Sequence, residues 1–318
     1  MKLRQLRYYV AIVDEGSFSA AALKVGVAQP SLSTHIKELE DRLGSELLIR
    51  TPKGVTATDA GQILYSHAKS ILNSIEVAKE EVRLSGEEPY GKVVFGLPSS
   101  VSMALSVPLA ERVLADMPKV HLREVEAMSG FISTWLHDES IDLAILYDVE
   151  TLRHMHTELL MTEELYFFAT RDTWPLNTKP NVPATLASIA NTDLVLPSGN
   201  HGLRALIDRA AKSNGIGLNV VVEMDSLPQI KSLVKRGKIS TILAYAAAYD
   251  VVDQGELVCA PIIDPVITRS VYLVKNPARI STRASREVEK LTLNVMRELV
   301  LDGKWLATLS DNQKLAEP

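Results

Sequence analysis

The first 58 residues alternate apolar helical patterns with glycines that end them. Apolar side chains recur at three- and four-residue steps at Leu3, Leu6, Val10 and Val13, which predicts an amphipathic helix. This helix is expected to end at Gly16. Ser17 is a suitable N-cap for a second, alanine-rich helix over 18–25, which Gly26 ends.

A third helix follows after only three residues. Pro30 marks its start and Gly44 its end, and its apolar stripe consists of Leu32, Ile36, Leu39 and Leu43. Two short helices joined by so short a turn predict a helix-turn-helix. The opposite face carries small or polar groups that could enter a DNA major groove: Pro30, Ser33, Thr34 and Lys37. The alternative is an ordinary helical corner with a solvated face, and this segment alone does not separate the two.

A basic hairpin is predicted next. Residues 47–50 and 55–58 have the composition of short strands and flank a Pro52-Lys53-Gly54 turn. A hairpin that directly follows a helix-turn-helix is typical of a wing. We expect Arg50 and Lys53 to contact phosphates, which would position the protein on DNA without reading its sequence.

A long helix is predicted from residue 59, with Thr58 as its cap. Its apolar residues follow at steps of four and three, which is a heptad pattern: Leu64, Ala68, Ile71, Ile75, Ala78 and Val82. The pattern favours a dimer formed through this helix. The alternative is an amphipathic helix that lies on its own domain. The helix ends in a charged hinge over 86–91, marked by Gly and Pro.

From residue 91 onward strands and helices alternate, which predicts α/β units with a mostly parallel sheet. The predicted strands cover 92–97, 119–126, 141–147, 165–170, 193–197, 219–224, 239–245 and 268–274. The predicted helices cover 101–116, 130–138, 202–213, 227–236 and 282–300. The tail after Trp305 is polar, and we expect it to be loose.

Composition narrows the class of protein. The chain has 318 residues, enough for two or three units, with 46% apolar and 23% charged residues. Its N-terminus lacks the apolar core of a signal peptide, and no stretch reaches the length of a transmembrane helix. The single cysteine, Cys259, lies in an apolar run and is predicted to be a core residue. We therefore expect a cytoplasmic protein with no membrane association.

Charge is spread unevenly along the chain. The net charge is −5, yet residues 1–58 hold eight Lys and Arg against six Asp and Glu. A weakly basic head on an acidic remainder is compatible with DNA binding, although it does not require it.

Two segments make the head recognisable: GSFSAAALKVGVAQPSLSTHIKELEDRLGSELLIR and GVTATDAGQILYSHA. Residues Leu3 to Ala68 resemble the DNA-binding domain of LysR-type transcriptional regulators, and within the family they are similar to nitrogen-assimilation-control-type members. The family pattern implies that DNA is read by Gln29, Pro30, Ser33, Thr34 and the wing Arg50. Many members carry Arg at the position of Thr34 and a basic residue at the position of Glu38.

The resemblance also implies the overall organisation, an α+β multidomain protein. A winged helix-turn-helix (1–58) and a linker and dimerisation helix with its hinge (59–90) precede an effector-binding domain (91–300) and a tail (301–318). The effector domain would contain two α/β subdomains, like a periplasmic binding protein: 91–163 with 268–300, and 164–267. The implied partners are a palindromic promoter site on double-stranded DNA, RNA polymerase, a small-molecule effector and further copies of the chain, as a dimer or homotetramer.

Hydroxyl groups follow several of the predicted strands, where ligands collect in α/β proteins. We expect the effector to contact Ser99, Ser100, Ser129, Ser198, Asn200, His201 and Ser226. The alternative is that these residues are only helix caps. The candidates are hydrogen-bond donors, and no cationic side chain is obvious among them. Because helix N-termini favour anions, a small carboxylate or other small anion is predicted.

Signals of other functions are weak. His154 and His156 lack the accompanying ligands of a zinc site, and no GxGxxG, Walker or Gly-x-Ser-x-Gly motif occurs. We therefore predict no cofactor, no metal and no enzymatic activity. A solute-binding protein would share the body but would not carry residues 1–58, and an α/β enzyme would need a catalytic constellation.

Overall fold

The chain divides into two units in a computed structural model that describes residues 1–51, 54–83, 88–147, 149, 152 and 154–315. The head unit comprises Met1–Glu87 with Ala278–Thr282, and the body unit comprises Glu88–Pro277 with Arg283–Pro318. The predicted hairpin residues Pro52 and Lys53, and residues 86 and 87 of the predicted hinge, lie outside the described residues.

The head unit has the predicted order of elements. They are α1 (Leu3–Glu15), α2 (Phe18–Val25), α3 (Gln29–Leu43), β1 (Leu48–Thr51), β2 (Gly54–Ala57) and α4 (Asp59–Arg83). Ser17 caps α2, because its hydroxyl accepts a hydrogen bond from the backbone N–H of Ala20. Thr58 caps α4 in the same way through the N–H of Gly61, at 3.0 Å. Both predicted caps are therefore confirmed.

The buried face of α1 differs from the predicted stripe. Leu6 is buried, but Leu3 is 48% exposed, and Val10 and Val13 are only partly buried. The inner face instead consists of Gln5, Leu6, Tyr8, Tyr9, Ala11 and Ile12. Aromatic rings bury more apolar area than valine, so the tyrosines decide which face of α1 turns to the core.

The core of the head surrounds α3. Leu32, Ile36 and Leu39 are buried as predicted, whereas Leu43 at the end of the stripe is exposed. The three buried residues pack with α1 and α2, including Tyr9, Ile12 and Phe18, and with Leu47 directly before β1. Packing of this face leaves the opposite face of α3 to solvent.

Backbone contacts attach the hairpin to the helices. The N–H of Val55 donates to the carbonyl of Gly16 at 2.8 Å, and the N–H of Thr58 donates to Leu47 at 3.0 Å. The Glu40 carboxylate on α3 accepts from the N–H of Leu47 at 2.8 Å. The wing is therefore held both by the turn after α1 and by α3.

The body unit contains nineteen further α-helices and strands in its described part. They are β3 (Tyr90–Leu97), α5 (Ser99–Asp116), β4 (Lys119–Glu126), α6 (Ser129–His137), β5 (Leu143–Leu146), β6 (His156–Ala169), β7 (Ala184–Thr185), α7 (Leu186–Ile189), β8 (Leu194–Leu196), α8 (Gly202–Ser213), β9 (Val220–Glu223), α9 (Leu227–Val234), β10 (Thr241–Ala244), α10 (Tyr249–Asp253), β11 (Val258–Ile263), β12 (Thr268–Lys275), α11 (Arg283–Leu301), β13 (Ala307–Leu309) and α12 (Asp311–Leu315).

The long strand β6 organises the body sheet, whose order is β4-β3-β5-β12-β6-β11-β7. Up to Glu164, β6 pairs with β12 and β13, and from Leu165 it pairs with β10 and β11. All four of these pairings are antiparallel, so the sheet is mixed and the prediction of a mostly parallel sheet is wrong. Parallel pairing is kept between β3 and its neighbours β4 and β5.

A strand is missing from the predicted set, and one further prediction needs correction. The apolar run at 258–263 is strand β11, and Cys259 is buried in it as predicted. The tail after Trp305 is not loose in its described part, because it forms β13 and α12. Trp305 is 1% exposed. The tail owes its order to β6, whose backbone pairs with β13, and a polar sequence does not reveal such a partner.

Gly61 on α4 lies against the wing more closely than any side chain permits. A Cβ atom there would come within 2.1 Å of the Leu47 carbonyl oxygen and 2.6 Å of the Tyr9 hydroxyl. The Tyr9 hydroxyl itself donates to that carbonyl at 3.4 Å. A side chain at position 61 would therefore force α4 away from the wing.

Gly61→Ala should destabilise the head by at least ~2 kcal/mol, since overpacking of a core typically costs ~1–3 kcal/mol. Urea unfolding of the full chain followed by far-UV circular dichroism measures the change. Gly130→Ala on α6 is the matched control, because a Cβ there meets nothing within 4 Å and a helical alanine is slightly favoured. Equal stability of the two variants would contradict the close approach.

Candidate DNA-contacting surface and effector cleft

The outer face of α3 presents the predicted DNA-reading residues. Gln29, Pro30, Thr34 and Lys37 are exposed, and Ser33 is partly buried. The Gln29 amide donates to the Ser33 hydroxyl at 3.3 Å, and the Thr34 hydroxyl donates to the Pro30 carbonyl at 3.0 Å. The Ser33 hydroxyl can still donate a hydrogen bond and the Thr34 hydroxyl can still accept one, so both keep capacity to contact a base edge.

Arg50 on the first wing strand is exposed, and its guanidinium lies 4.3 Å from the centre of the Phe18 ring. This cation–π contact holds the charge beside the start of α2. Lys53, the other predicted phosphate contact, lies outside the described residues.

A hollow of about 710 Å³ joins the recognition helix to the wing. Four predicted residues line it together with three carboxylates: Ser33, Thr34, Lys37, Arg50, Glu40, Asp41 and Glu46. Glu38, at a position where many family members carry a basic residue, contacts His35 and Gln5. Asp41 and Glu46 are exposed and face the same hollow, so they limit where a phosphate can approach.

The predicted dimerisation stripe on α4 is not uniform. Ala68 is fully buried and Leu64 packs against the core of the head, as the alternative interpretation expects. Ile71 and Ile75 are partly buried, whereas Ala78 is exposed and Val82 is 75% exposed. Leu64 and Ala68 are therefore used within the head, and the stripe from Ile71 onward keeps exposed apolar surface.

A cleft of about 390 Å³ opens in the body unit where three helices begin. It is lined by the first residues of α5, α6 and α8, and it includes four of the predicted effector residues: Ser99, Ser100, Ser129 and His201. The first N–H groups of a helix have no partner within the helix, so three sets of donors converge on this cleft. No Asp or Glu occurs among the described residues that line it.

The other three predicted effector residues, Ser198, Asn200 and Ser226, do not line the cleft. The backbone N–H of Ser198 donates to the Asp225 carboxylate at 2.9 Å. Hydrogen bonds from Ser198 lower the pKa of that carboxyl group. This contact joins the loop after β8 to the loop after β9, outside the cleft.

Sequence reasoning missed the cationic and aromatic side chains of the cleft. Arg209 and Arg269 line it, as does Tyr147. Arg269 is buried, donates from Nε to the Glu163 carboxylate at 2.6 Å, and lies 3.7 Å from the centre of the Tyr147 ring. The candidates named from the sequence include no cationic side chain, and the structure adds these two arginines to the lining of the cleft. The alternation of side chains along β12 could have indicated that Arg269 is buried, because Arg269 lies on the same face as the buried Val271 and Leu273.

Two family models match consecutive parts of the chain. Residues 3–62 match the bacterial regulatory helix-turn-helix protein, lysR family, and residues 86–297 match the LysR substrate binding domain. The chain belongs to the LysR family. It is a DNA-binding transcriptional regulator with an effector-binding domain, and the predicted fold class is confirmed.

Similar proteins cover nearly the whole length of this LysR-type regulator. It is 30% identical to the nitrogen assimilation regulatory protein nac of Klebsiella aerogenes, over 98% of this chain and 100% of that protein. The nac protein of Escherichia coli K12 is also 30% identical, over 96% and 98%. A full-length OxyR variant of Pseudomonas aeruginosa has the same fold, with a TM-score of 0.66 at 22% identity, over 100% of this chain and 99% of that one.

The cleft of this regulator combines a fixed cation with a neutral histidine. Burial alone would lower the pKa of Arg269, but the Glu163 carboxylate and Tyr147 outweigh it, so the pKa is raised. Burial lowers the pKa of His201. Nδ1 of His201 accepts the N–H of Leu203 at 3.2 Å. A neutral His201 therefore carries its proton on Nε2, which is a hydrogen-bond donor.

The described residues contain neither a candidate membrane-spanning helix nor a candidate metal site. No helix there combines the length and apolarity needed to cross a membrane. Among the same residues, no group of three or more His, Cys, Asp and Glu side chains could hold a metal ion, and this includes His154 and His156.

Acidification should destabilise the wild-type protein more than the His201→Asn variant. The pKa of His201 in the folded protein lies below its ordinary value of 6.5, so the unfolded chain binds the proton more readily. The contribution of His201 is thus complete above pH ~6.5 and is lost as the pH falls toward the folded-state pKa. Asn keeps an oxygen to accept the Leu203 N–H. Urea midpoints at pH 7.5 and 5.0 measure the difference, and an equal loss in both proteins would contradict the lowered pKa.

Proposed function

We propose that the protein is a homo-oligomeric regulator that binds palindromic promoter DNA through α3 and the wing, and that a small anion in the cleft modulates its activity. We place it in the cytoplasm, where it would act on RNA polymerase at the promoter. Its cleft would lie between two subdomains, 91–163 with 268–300 and 164–267.

The exposed face of α3 supports the DNA-binding mode. Ser33, Thr34 and Lys37 share one hollow with Arg50 of the wing, which allows base edges and phosphates to be contacted together. Ser33 and Thr34 offer hydroxyls to bases, while Lys37 and Arg50 offer charge to the backbone. The neighbouring carboxylates make the fit selective, because a phosphate displaced toward Asp41 or Glu46 would be repelled.

Oligomerisation follows from the half-site geometry. One helix-turn-helix reads one half-site, and two related by a twofold axis read a palindrome. The exposed Ala78 and Val82, with the partly buried Ile71 and Ile75, leave an apolar strip on α4 for a second copy. A pair formed in this way accounts for a dimer, and a homotetramer would be a dimer of such dimers.

The single observation that carries the effector class is the convergence of three helix N-termini on a cleft with Arg209 and Arg269. Positive helix ends and guanidinium groups both stabilise negative charge, and no described lining residue carries a negative charge to oppose them. Met128, Val149 and Leu206 also line the cleft. We infer a small carboxylate with an apolar body.

Binding without turnover is the proposed action of this cleft. The similar proteins are regulators of transcription, and an effector can alter a regulator only if it binds two of its states with different affinities. Enzymatic turnover of the bound acid is the alternative function. Release of a product from that acid would establish that the protein is an enzyme.

Ser33→Ala and Lys37→Ala should weaken DNA binding in different ways. Loss of the Ser33 hydroxyl should cost ~1–3 kcal/mol at one base position and leave other positions unchanged. Lys37→Ala should weaken all sequences similarly and lower the salt slope by about 1. Fluorescence anisotropy with the cognate site, single-base variants and a salt series measures both effects.

Lys290→Ala is the control for the DNA measurements, because Lys290 is exposed on α11 of the body unit. It should leave both affinity and salt slope unchanged. A full-length protein that binds no DNA, or a Ser33→Ala loss spread evenly over all base positions, would refute this mode of recognition.

Small carboxylates should bind the cleft and small amines should not. Calorimetry on the full chain with a panel of both classes identifies a ligand. Ser129→Ala should then weaken its binding by about 3–10-fold, the size of one hydrogen bond. Ser198→Ala is the matched control, because Ser198 lies outside the cleft. Tight binding of an amine, or of an acid that is indifferent to Ser129→Ala, would show that the ligand class or the pocket is wrong.

A further inference from the structure

The C-terminal segment reaches the effector cleft through a buried chain of hydrogen bonds. Trp305 Nε1 donates to Glu163 Oε2 at 2.7 Å. Glu163 Oε1 accepts from Arg269 Nε at 2.6 Å, and Arg269 Nη2 donates to the Ser100 hydroxyl at 3.0 Å. Each oxygen of the Glu163 carboxylate therefore has its own donor, one from the tail and one from the cleft.

Ser100 and Tyr147 complete the arrangement on the side of the cleft. Their hydroxyls lie 2.6 Å apart, and the Arg269 guanidinium lies over the Tyr147 ring. Arg269, Ser100 and Tyr147 all line the cleft. The Arg269 guanidinium is therefore surrounded by the Glu163 carboxylate, the Ser100 hydroxyl and the Tyr147 ring.

The tail is fastened beside Glu163 by more than the tryptophan. Ala307 on β13 pairs with Glu163 on β6, and the N–H of Ser310 donates to the Leu160 carbonyl at 2.9 Å. The Gln313 amide donates to the Glu158 carboxylate at 2.9 Å. These contacts follow β6 outward from Glu163 and hold Trp305 in register with it.

We propose that Trp305 is a positioning residue for the effector cleft, acting through Glu163 to fix the Arg269 guanidinium. The inference rests on the proposed function of the cleft. Without the indole N–H, the Glu163 carboxylate would be held only by Arg269 and Tyr147, and its terminal torsion is soft; the added donor on Oε2 fixes the plane of the carboxylate. Because a buried guanidinium follows its carboxylate partner, the indole N–H sets the direction of the Arg269 donors.

The competing explanation is that Trp305 only fills the core, since it packs in the same apolar cluster as Leu105, Val271 and Val288. Trp305→Phe separates the two, because it keeps an aromatic ring in the core and removes the N–H donor. A purely structural role predicts a change in stability with no specific change at Arg269.

Hydrogen exchange of the Arg269 Nε–H provides a readout that needs no ligand. In the full chain labelled with ¹⁵N at Arg Nε and Trp Nε1, Trp305→Phe should speed exchange at Arg269 by about tenfold, the size of one charge-assisted hydrogen bond. Trp174→Phe is the matched control. The Trp174 indole N–H donates to the Thr178 carbonyl at 2.6 Å and takes no part in the hydrogen bonds that join Trp305 to Ser100. Unchanged exchange at Arg269 in Trp305→Phe would overturn the proposal.

A double-substitution cycle tests whether Glu163 transmits the effect. Glu163→Gln alone should also speed exchange at Arg269, and adding Trp305→Phe should then change it less than about threefold. A full tenfold addition would show that Trp305 acts on Arg269 by another route and would overturn the proposal. Glu164→Gln, the exposed neighbour on β6, should have no effect.

If Trp305→Phe does not fold, Gln313→Ala removes the hydrogen bond to Glu158 at the end of the tail and leaves the apolar cluster around Trp305 unchanged. Exchange at the Trp305 indole and at Arg269 should then rise together, and a rise at Trp305 alone would overturn the proposal. Calorimetry with phenylacetate adds a separate arm, in which Trp305→Phe should weaken binding about tenfold. Failure of phenylacetate to bind the unsubstituted protein would count against the proposed ligand class, while the exchange data still decide the role of Trp305.

Discussion

The body of this regulator depends on the buried ion pair between Glu163 and Arg269. Both side chains are almost completely buried, and their strands, β6 and β12, pair with each other in the middle of the sheet. Removing two charges from water is costly, and it is tolerated only where each has several partners. Trp305, Ser100 and Tyr147 supply those partners, so the sheet, the cleft and the tail share one polar network.

This network would let the cleft hold the proposed anion without leaving a buried charge unpaired. Glu163 compensates Arg269 from behind, while the guanidinium and the starts of α5, α6 and α8 face the cavity. Helix N-termini provide partial positive charge at fixed positions and need no counterion. Arg209 at the exposed side of the cleft adds a full charge where solvent reduces its desolvation cost.

The head solves a different electrostatic problem. The hollow proposed to contact DNA carries Lys37 and Arg50 beside Glu40, Asp41 and Glu46. Glu40 is needed to hold the backbone of the wing, which gives that carboxylate a structural purpose. A head of nearly balanced charge gains less binding free energy from phosphates, so in the proposed mode of binding the discrimination between sequences would depend more on the hydroxyls of α3.

The sequence alone determined the helix-turn-helix, its caps at Ser17 and Thr58, the order of most strands and helices, and the family. These features follow from local spacing and capping, which act within a few residues. It did not reveal β11, the ordered tail, or Arg269 and Trp305 in one network with Glu163. Residues 163, 269 and 305 meet only because β12 and β13 pair with β6 across long separations in the chain. Strand pairing of that kind is decided by which backbone groups remain to be satisfied in the folded sheet, and only the tertiary structure specifies it.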